Sequence, residues 1–309
     1  MGGKVLITGA AGQLGSALSV ELARDFSVVP ATRKECDVTN LAATLNFARR
    51  HEPTVIVNCA AYTDVDGCEV QPEQAFAVNA LGARNVAIAA REVGAKLVHI
   101  STDYVFDGEK RGAYVEWDVP RPINVYGQSK LLGERYVKEQ THRFFILRTA
   151  WLYGIKGRNF VKTMLRLAGE RQEIRIVCDV RGTPTYVGDL ARQIKVLLAT
   201  DCYGTYHCSS QGFCTWYEFA LEIFESAGFV KEGRTKRGVT LISNDPNRRK
   251  IVVKPIPSEE FPQPARRPAN SVLDNYFLRL QHLDIMPDWA ESLRVHLPKI
   301  VEALKEGNT

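Results

Sequence analysis

Tyr126-Gly-Gln-Ser-Lys130 sets a tyrosine and a lysine four residues apart, on one face of a helix and one turn from each other. An ammonium there favours the phenolate, so the phenol is expected to titrate below its ordinary value of about 10. Such a tyrosine can hand a proton to a carbonyl oxygen while hydride reaches the carbonyl carbon. Alone, the five-residue pattern also fits an exposed Tyr/Lys pair on a solvated helix, so the upstream sequence has to decide. There, the segment His99–Gly108 carries Thr102, whose hydroxyl can donate to a substrate carbonyl, and Asp103, whose carboxylate can accept from sugar hydroxyls. Thr102, Tyr126 and Lys130 form the candidate catalytic set.

A second constellation lies at the N-terminus. Gly9-Ala-Ala-Gly12-Gln13-Leu14-Gly15 directly follows an apolar run and opens a helical pattern. In that context the glycines permit a tight turn, and a pyrophosphate can rest on the helix N-terminal N–H groups. The choice between the two nicotinamide dinucleotides falls at the end of the next strand, where an acid would bond the ribose hydroxyls and repel a 2′-phosphate. The chain has Pro30-Ala-Thr-Arg33 there and no acid before Glu35. NADPH is therefore expected to be accepted alongside or ahead of NADH, with Arg33 the candidate phosphate partner.

These residues need a scaffold that holds strand ends and helix N-termini together. Apolar runs at Lys4–Thr8, Phe26–Pro30, Val55–Cys59, Lys96–Ile100 and Phe144–Arg148 read as strands. They alternate with helical patterns over Gln13–Arg24, Leu41–Arg50, Gln74–Glu92 and the Tyr126 segment. That rhythm predicts an α/β fold: a Rossmann-like, doubly wound parallel sheet with right-handed crossovers. Residues 1–150 are expected to form the NAD(P)-binding domain, completed by parts of 187–210. Residues 151–309 are expected to supply mainly a smaller C-terminal substrate-binding lobe, with helices over Phe160–Leu167, Val187–Ala199 and Trp289–Lys305 and a strand at Ile174–Val177. Six prolines between Asn244 and Pro268 predict a long non-helical loop.

Composition narrows the function classes. With 309 residues, 45% apolar and 24% charged, the chain suits a globular protein. No run approaches the roughly 18 apolar residues of a membrane span. Met1-Gly-Gly-Lys4 enters a strand at once, so no signal peptide is expected. The seven cysteines show no metal-ligand spacing. Cys36, Cys59, Cys178 and Cys208 read as buried free thiols, which points to the cytoplasm. The net charge of +5 is spread along the chain, and its two dense clusters, Arg248-Arg249-Lys250 and Arg266-Arg267, come without a nucleic-acid signature.

The glycine spacing resembles that of the extended short-chain dehydrogenase/reductases. In that family Asp37 and its neighbour Val38 would contact the adenine, Ala60 and Ala61 would line the cofactor at a strand end, and Asn79 would match a helix asparagine. Five further segments, Ala61–Asp66 (with Thr63), Ser101–Phe106, Asn124–Gly127, Arg148–Trp151 and Gly182–Thr185, resemble the dTDP-4-dehydrorhamnose reductases within it. Asn159–Leu165 and Arg267–Leu273 carry the resemblance into the far lobe. It implies a dTDP-linked 4-keto-6-deoxy sugar as substrate and NADPH or NADH as reductant. It also implies that Tyr126 protonates the C4 oxygen, Lys130 binds the nicotinamide ribose, Thr102 orients the carbonyl and Trp151 packs on the sugar. Arg267 would bind the diphosphate, with a structural ion pair as the alternative.

The chain departs from that family at Asp179-Val180-Arg181, where relatives carry Asp-Gln before Gly-x-Pro-Thr. Some relatives hold magnesium through glutamates at a dimer interface. Ser16-Ala17 and Tyr186-Val-Gly188 offer no acid there, so no metal site is expected, and the chain is read as a monomer or homodimer. Two alternatives stay open. One is another nucleotide-sugar 4-ketoreductase or epimerase on the same scaffold. The other is a non-catalytic, reductase-like regulatory subunit.

Overall fold

The computed structural model describes residues 2–235, 238–243 and 250–307. Six parallel strands form the central sheet: β1 (Lys4–Thr8), β2 (Ser27–Ala31), β3 (Val55–Asn58), β4 (Lys96–Thr102), β5 (Phe144–Thr149) and β6 (Gly204–His207). Their spatial order is β6-β5-β4-β3-β1-β2. The order reverses beside β1, which opens a crevice at the carboxyl ends of the strands.

The near-continuous apolar strands follow from burial on both faces. Val5, Ile7, Val57, Val98, Phe145 and Leu147 pack with the helices Gln13–Leu22 and Val187–Leu198 on one side. Leu6, Ile56, Leu97 and Ile146 meet Ala83, Val86, Ala87 and Ala90 on the other. Burying one such aliphatic side chain contributes roughly 1.5–3 kcal/mol, and a polar substitution at any of these alternating positions would break a layer. The alanines lie on helix Gly82–Glu92, which continues Pro72–Phe76 through a π turn at Ala77–Leu81. One long helical run was expected here, and it holds apart from that insertion.

The far lobe has its own core around Tyr153, Phe219, Phe224, Leu241, Ile251 and Leu297. Its sheet contains Phe229–Thr235, Gly238–Ser243, Ile251–Ile256 and Glu173–Val177 in that order. Here the proline-rich stretch departs from expectation, because Ile251–Ile256 is a strand pairing parallel with Glu173–Val177. The neighbouring strand covers only Ile251–Val253, so Pro255 sits where one edge is open and its missing N–H is not needed there. Ile251 and Val253 are fully buried. Of the basic cluster expected nearby, Arg248 and Arg249 lie outside the described residues. Among the described residues no helix is long and apolar enough to cross a membrane.

Candidate active site

The phosphate loop forms because β1 must turn sharply into helix Gln13–Leu22. Gly9 has φ of 64°, and a Cβ there would lie 2.7 Å from the Ala60 nitrogen, so only glycine fits. The loop borders a cleft of about 300 Å³ that reaches Thr32, Arg33, Asp37, Val38, Thr39, Ala60 and Ala61. Gly9 and Gly12 line it. Leu14 is buried in the core instead, and Gln13 turns toward the far lobe, where its amide meets the Arg158 carbonyl and the Asn159 side chain. The dinucleotide fits this cleft: a glycine cradle that any Cβ would fill, open helix N–H groups and small residues along the strand end.

At the β2 end Glu35 is turned away from a ligand. Its carboxylate accepts from the Thr32 backbone N–H at 2.8 Å and from the Thr32 hydroxyl, and these bonds hold it below the usual carboxylate range. Arg33 projects into solvent with Asp37 as its nearest acid at 3.6 Å. Asp37 itself accepts from the backbone and hydroxyl of Thr39, which keep it ionised. Sequence reasoning passed over Tyr62, Gln74 and Val78, which also line the cleft. The four-residue spacing of Gln74 and Val78 on a helix was the available signal.

Asn79 and Thr63 do not line the cleft. The Asn79 side chain accepts from the Tyr62 N–H at 2.8 Å and donates to the Tyr62 carbonyl and the Ser129 hydroxyl, each at 3.0 Å. Its bonding capacity ties the loop after β3 to the helix of the Tyr126 motif. That helix, Val125–Gln140, starts where Asn124 caps it by accepting from the Gly127 N–H at 2.8 Å. Losing such a cap costs about 1 kcal/mol. Gly127 lets the helix close on the segment after β4, since a Cβ would lie 2.1 Å from the Tyr104 carbonyl oxygen.

Helix and strand end bring the candidate catalytic residues together. The Thr102 hydroxyl donates to Asp103 Oδ1 at 2.9 Å and accepts from the Tyr104 N–H at 3.1 Å. The Tyr126 ring lies on the same side, meeting Tyr104 edge-on at 5.9 Å. Asp103 is buried, and its Oδ2 has no hydrogen-bond partner among the described residues. Burial raises its carboxyl to about 6, with the Ser271 and Thr102 hydroxyls working against that shift.

The expected lowering of the Tyr126 phenol does not hold. Burial pushes it above its ordinary value, only partly offset by Thr102. Lys130 does not act on it directly, because its Nζ donates to the Ile100 carbonyl at 2.5 Å. Burial brings the Lys130 ammonium down to about 8, with the Glu134 carboxylate working against that shift. Four residues of helix spacing placed the pair on one face, but the strand carbonyl within reach captured the ammonium.

Trp151 follows β5 with φ of 44°, one of three non-glycine residues in the left-handed region among those described. Strain of that kind concentrates at functional sites. Its indole stacks on Trp216, with centroids 3.5 Å apart and planes within 9°. Trp216, which opens helix Trp216–Ser226, went unnoticed in the sequence because nothing local links it to Trp151. Arg267 is engaged by Asp66. Of the cysteines read as buried, Cys36 and Cys208 are, whereas Cys59 and Cys178 are only partly covered.

The family model described as the RmlD substrate binding domain matches residues 3–301. The chain is 39% identical over 300 residues to the dTDP-4-dehydrorhamnose reductase of Aggregatibacter actinomycetemcomitans, covering 94% of this chain and 97% of that protein. It is 38% identical over 296 residues to the dTDP-4-keto-6-deoxy-D-glucose reductase of Streptomyces niveus, covering 95% and 96%. Among solved structures, the dTDP-4-dehydrorhamnose reductase of Bacillus anthracis in complex with NADP superposes with a TM-score of 0.88 at 44% identity, over 97% of this chain and 100% of that one.

Proposed function

We propose, on the premise that the chain belongs to the dTDP-4-dehydrorhamnose reductase family, that it reduces dTDP-4-dehydro-beta-L-rhamnose to dTDP-L-rhamnose with NADPH or NADH. This would be the last step of dTDP-L-rhamnose biosynthesis. The observation that carries the reading is that Thr102 ends β4 while the helix of Tyr126 and Lys130 packs on that strand end, with Lys130 bonded to the Ile100 carbonyl and the Tyr126 ring against Tyr104.

The dinucleotide, when bound in that cleft, supplies the hydride. The Tyr126 hydroxyl delivers its proton to the C4 oxygen as negative charge builds there. A phenol held high by burial remains fully protonated near neutrality, as a proton donor must. The Thr102 hydroxyl can turn toward the substrate carbonyl, and the Lys130 ammonium, held at the Ile100 carbonyl, is placed to bind the nicotinamide ribose. The free Oδ2 of Asp103 accepts from a sugar hydroxyl, and the Trp151–Trp216 stack offers an apolar face to the sugar. Residues 1–150 with parts of 187–210 serve the dinucleotide, and 151–309 mainly the sugar nucleotide. The free thiols suit a cytoplasmic enzyme, working as a monomer or homodimer.

NADPH oxidation with a panel of dTDP-4-keto-6-deoxy sugars, followed by NMR of the product, tests the reading. Turnover of the L-lyxo ketone to the rhamnose epimer is expected. The likeness to the Streptomyces niveus protein favours one second reading, reduction of the D-xylo ketone, and faster turnover of that substrate would select it. No oxidation of NADPH with any member of the panel would overturn both.

A further inference from the structure

Beneath the reacting groups lies an ion pair with almost no contact with water. Glu134, one turn beyond Lys130 on the same helix, accepts from Arg148 Nε at 2.9 Å and from Arg148 Nη2 at 2.8 Å. Both side chains are at most 3% exposed. Ser101, the neighbour of Thr102, donates to Glu134 Oε1 at 2.5 Å. Ser101 and Arg148 face each other in the register of β4 and β5, so one carboxylate joins the helix to two strand ends. The Arg148 guanidinium is further fixed over the Phe106 ring at 5.2 Å.

A buried pair of this kind adds little net stability, because desolvation offsets the attraction, and hydrophobic replacements of equal volume are often tolerated. Its position therefore asks for another reason. One turn back on the same helix, the Lys130 ammonium is buried and, among the described residues, bonds a strand carbonyl. The other titratable groups that act on or around that ammonium are Cys59 after β3, His99 on β4 and, a turn past Glu134, Lys138. Burial keeps the Cys59 thiol and the His99 ring neutral, which leaves Glu134 as the carboxylate that supports the ammonium.

We propose that Glu134, locked by Arg148 and Ser101, is a positioning residue for the reduction: it binds the helix of Tyr126 and Lys130 to the strand end of Thr102 and sets a negative charge one helical turn from the Lys130 ammonium. This rests on the reductase reading, and it adds a residue that touches neither substrate nor cofactor.

The test removes both charges at nearly constant volume, in the double variant Glu134→Gln/Arg148→Met, with Ser101→Ala as a milder companion that keeps the pair. The double variant is expected to keep a melting temperature close to that of the parent. Its kcat should fall about 10- to 100-fold, as misplacement of reacting groups does, with KM for the sugar nucleotide little changed. The alkaline limb of kcat should move to lower pH, since Lys130, already near 8, loses its carboxylate. A purely structural pair would not move that limb. NADPH affinity followed by fluorescence should weaken at lower pH in the same way, a readout independent of turnover. If the parent protein reduced none of the keto sugars, the proposed function would fall, and this fluorescence titration alone would decide the role of Glu134. Parent-like kcat with an unmoved limb, or an unmoved NADPH titration, would overturn the proposal. If the double variant failed to fold, Ser101→Ala would decide: a lowered kcat with unchanged KM supports the role, and a parent-like kcat refutes it.

Discussion

Arg267 and Asp66 meet as a fork on a carboxylate: Nη1 and Nη2 each lie 2.6 Å from one of the two oxygens. The Ala265 N–H adds a third bond to the same carboxylate at 3.0 Å, and the Asn124 amide donates to the Arg266 carbonyl at 2.8 Å. The far-lobe segment is thereby strapped to helix Val65–Val70 and to the cap of the catalytic helix. Arg267→Ala is expected to raise KM for the sugar nucleotide more than it lowers kcat. The partly exposed pair should add only about 1 kcal/mol to stability, so the melting point of the variant should fall by a few degrees at most. A lowered melting point with unchanged KM would leave Arg267 as a strap and nothing more.

Tyr126→Phe removes the proposed proton donor and almost no volume. We expect kcat to drop about a hundredfold or more, the loss typical of a missing general acid, while NADPH affinity stays near the parent value. Steady-state rates with fluorescence titration check both halves. Unchanged kcat would remove Tyr126 from the mechanism.

Asp103 ties pH to stability. Its folded carboxyl titrates near 6, above the value of about 3.9 in an unfolded chain. The folded state therefore holds a proton that the unfolded state releases. The resulting stabilisation is complete below about pH 4 and is lost as pH rises through about 6. At pH 8 the buried charge works against folding by up to roughly 3 kcal/mol. Asp103→Asn should thus melt several degrees above the parent at pH 8, with a smaller gap at pH 5 and weaker sugar-nucleotide binding. Equal gaps at the two pH values would show that the charge at this position does not matter.

We propose that cofactor choice turns on Arg33, since Glu35 is engaged by its own loop. The parent should use NADPH at least as well as NADH. Arg33→Ala should weaken kcat/KM for NADPH about tenfold, one exposed phosphate contact of about 1.4 kcal/mol, and leave NADH nearly untouched. A parent kcat/KM at least tenfold higher with NADH would reverse the assignment.

The strand–glycine–helix opening, the order of strands and helices, and the Tyr126/Lys130 spacing were legible because each is a local pattern of burial or backbone freedom. The strand at Ile251–Ile256 was not, since six nearby prolines signal a loop and only its partner Glu173–Val177 shows that one open edge tolerates Pro255. Trp216 and Glu134 escaped for a similar reason. Each gains its place from a residue distant in sequence or on another element, Trp151 for the one and Ser101 with Arg148 for the other.

By itself, then, the sequence determined the kind of chemistry: a phenol and an ammonium one helical turn apart, downstream of a loop shaped for phosphate. Spacing along a helix settles which residues share a face, and that is a property of the chain alone. Only the tertiary structure decided which partner each group would find. Burial set the Tyr126 phenol high instead of low, the Ile100 carbonyl took the Lys130 ammonium, and Asp66 took Arg267. Titration and pairing depend on how much water the fold removes and which opposite charge it brings within a few ångströms, and neither is written in local spacing.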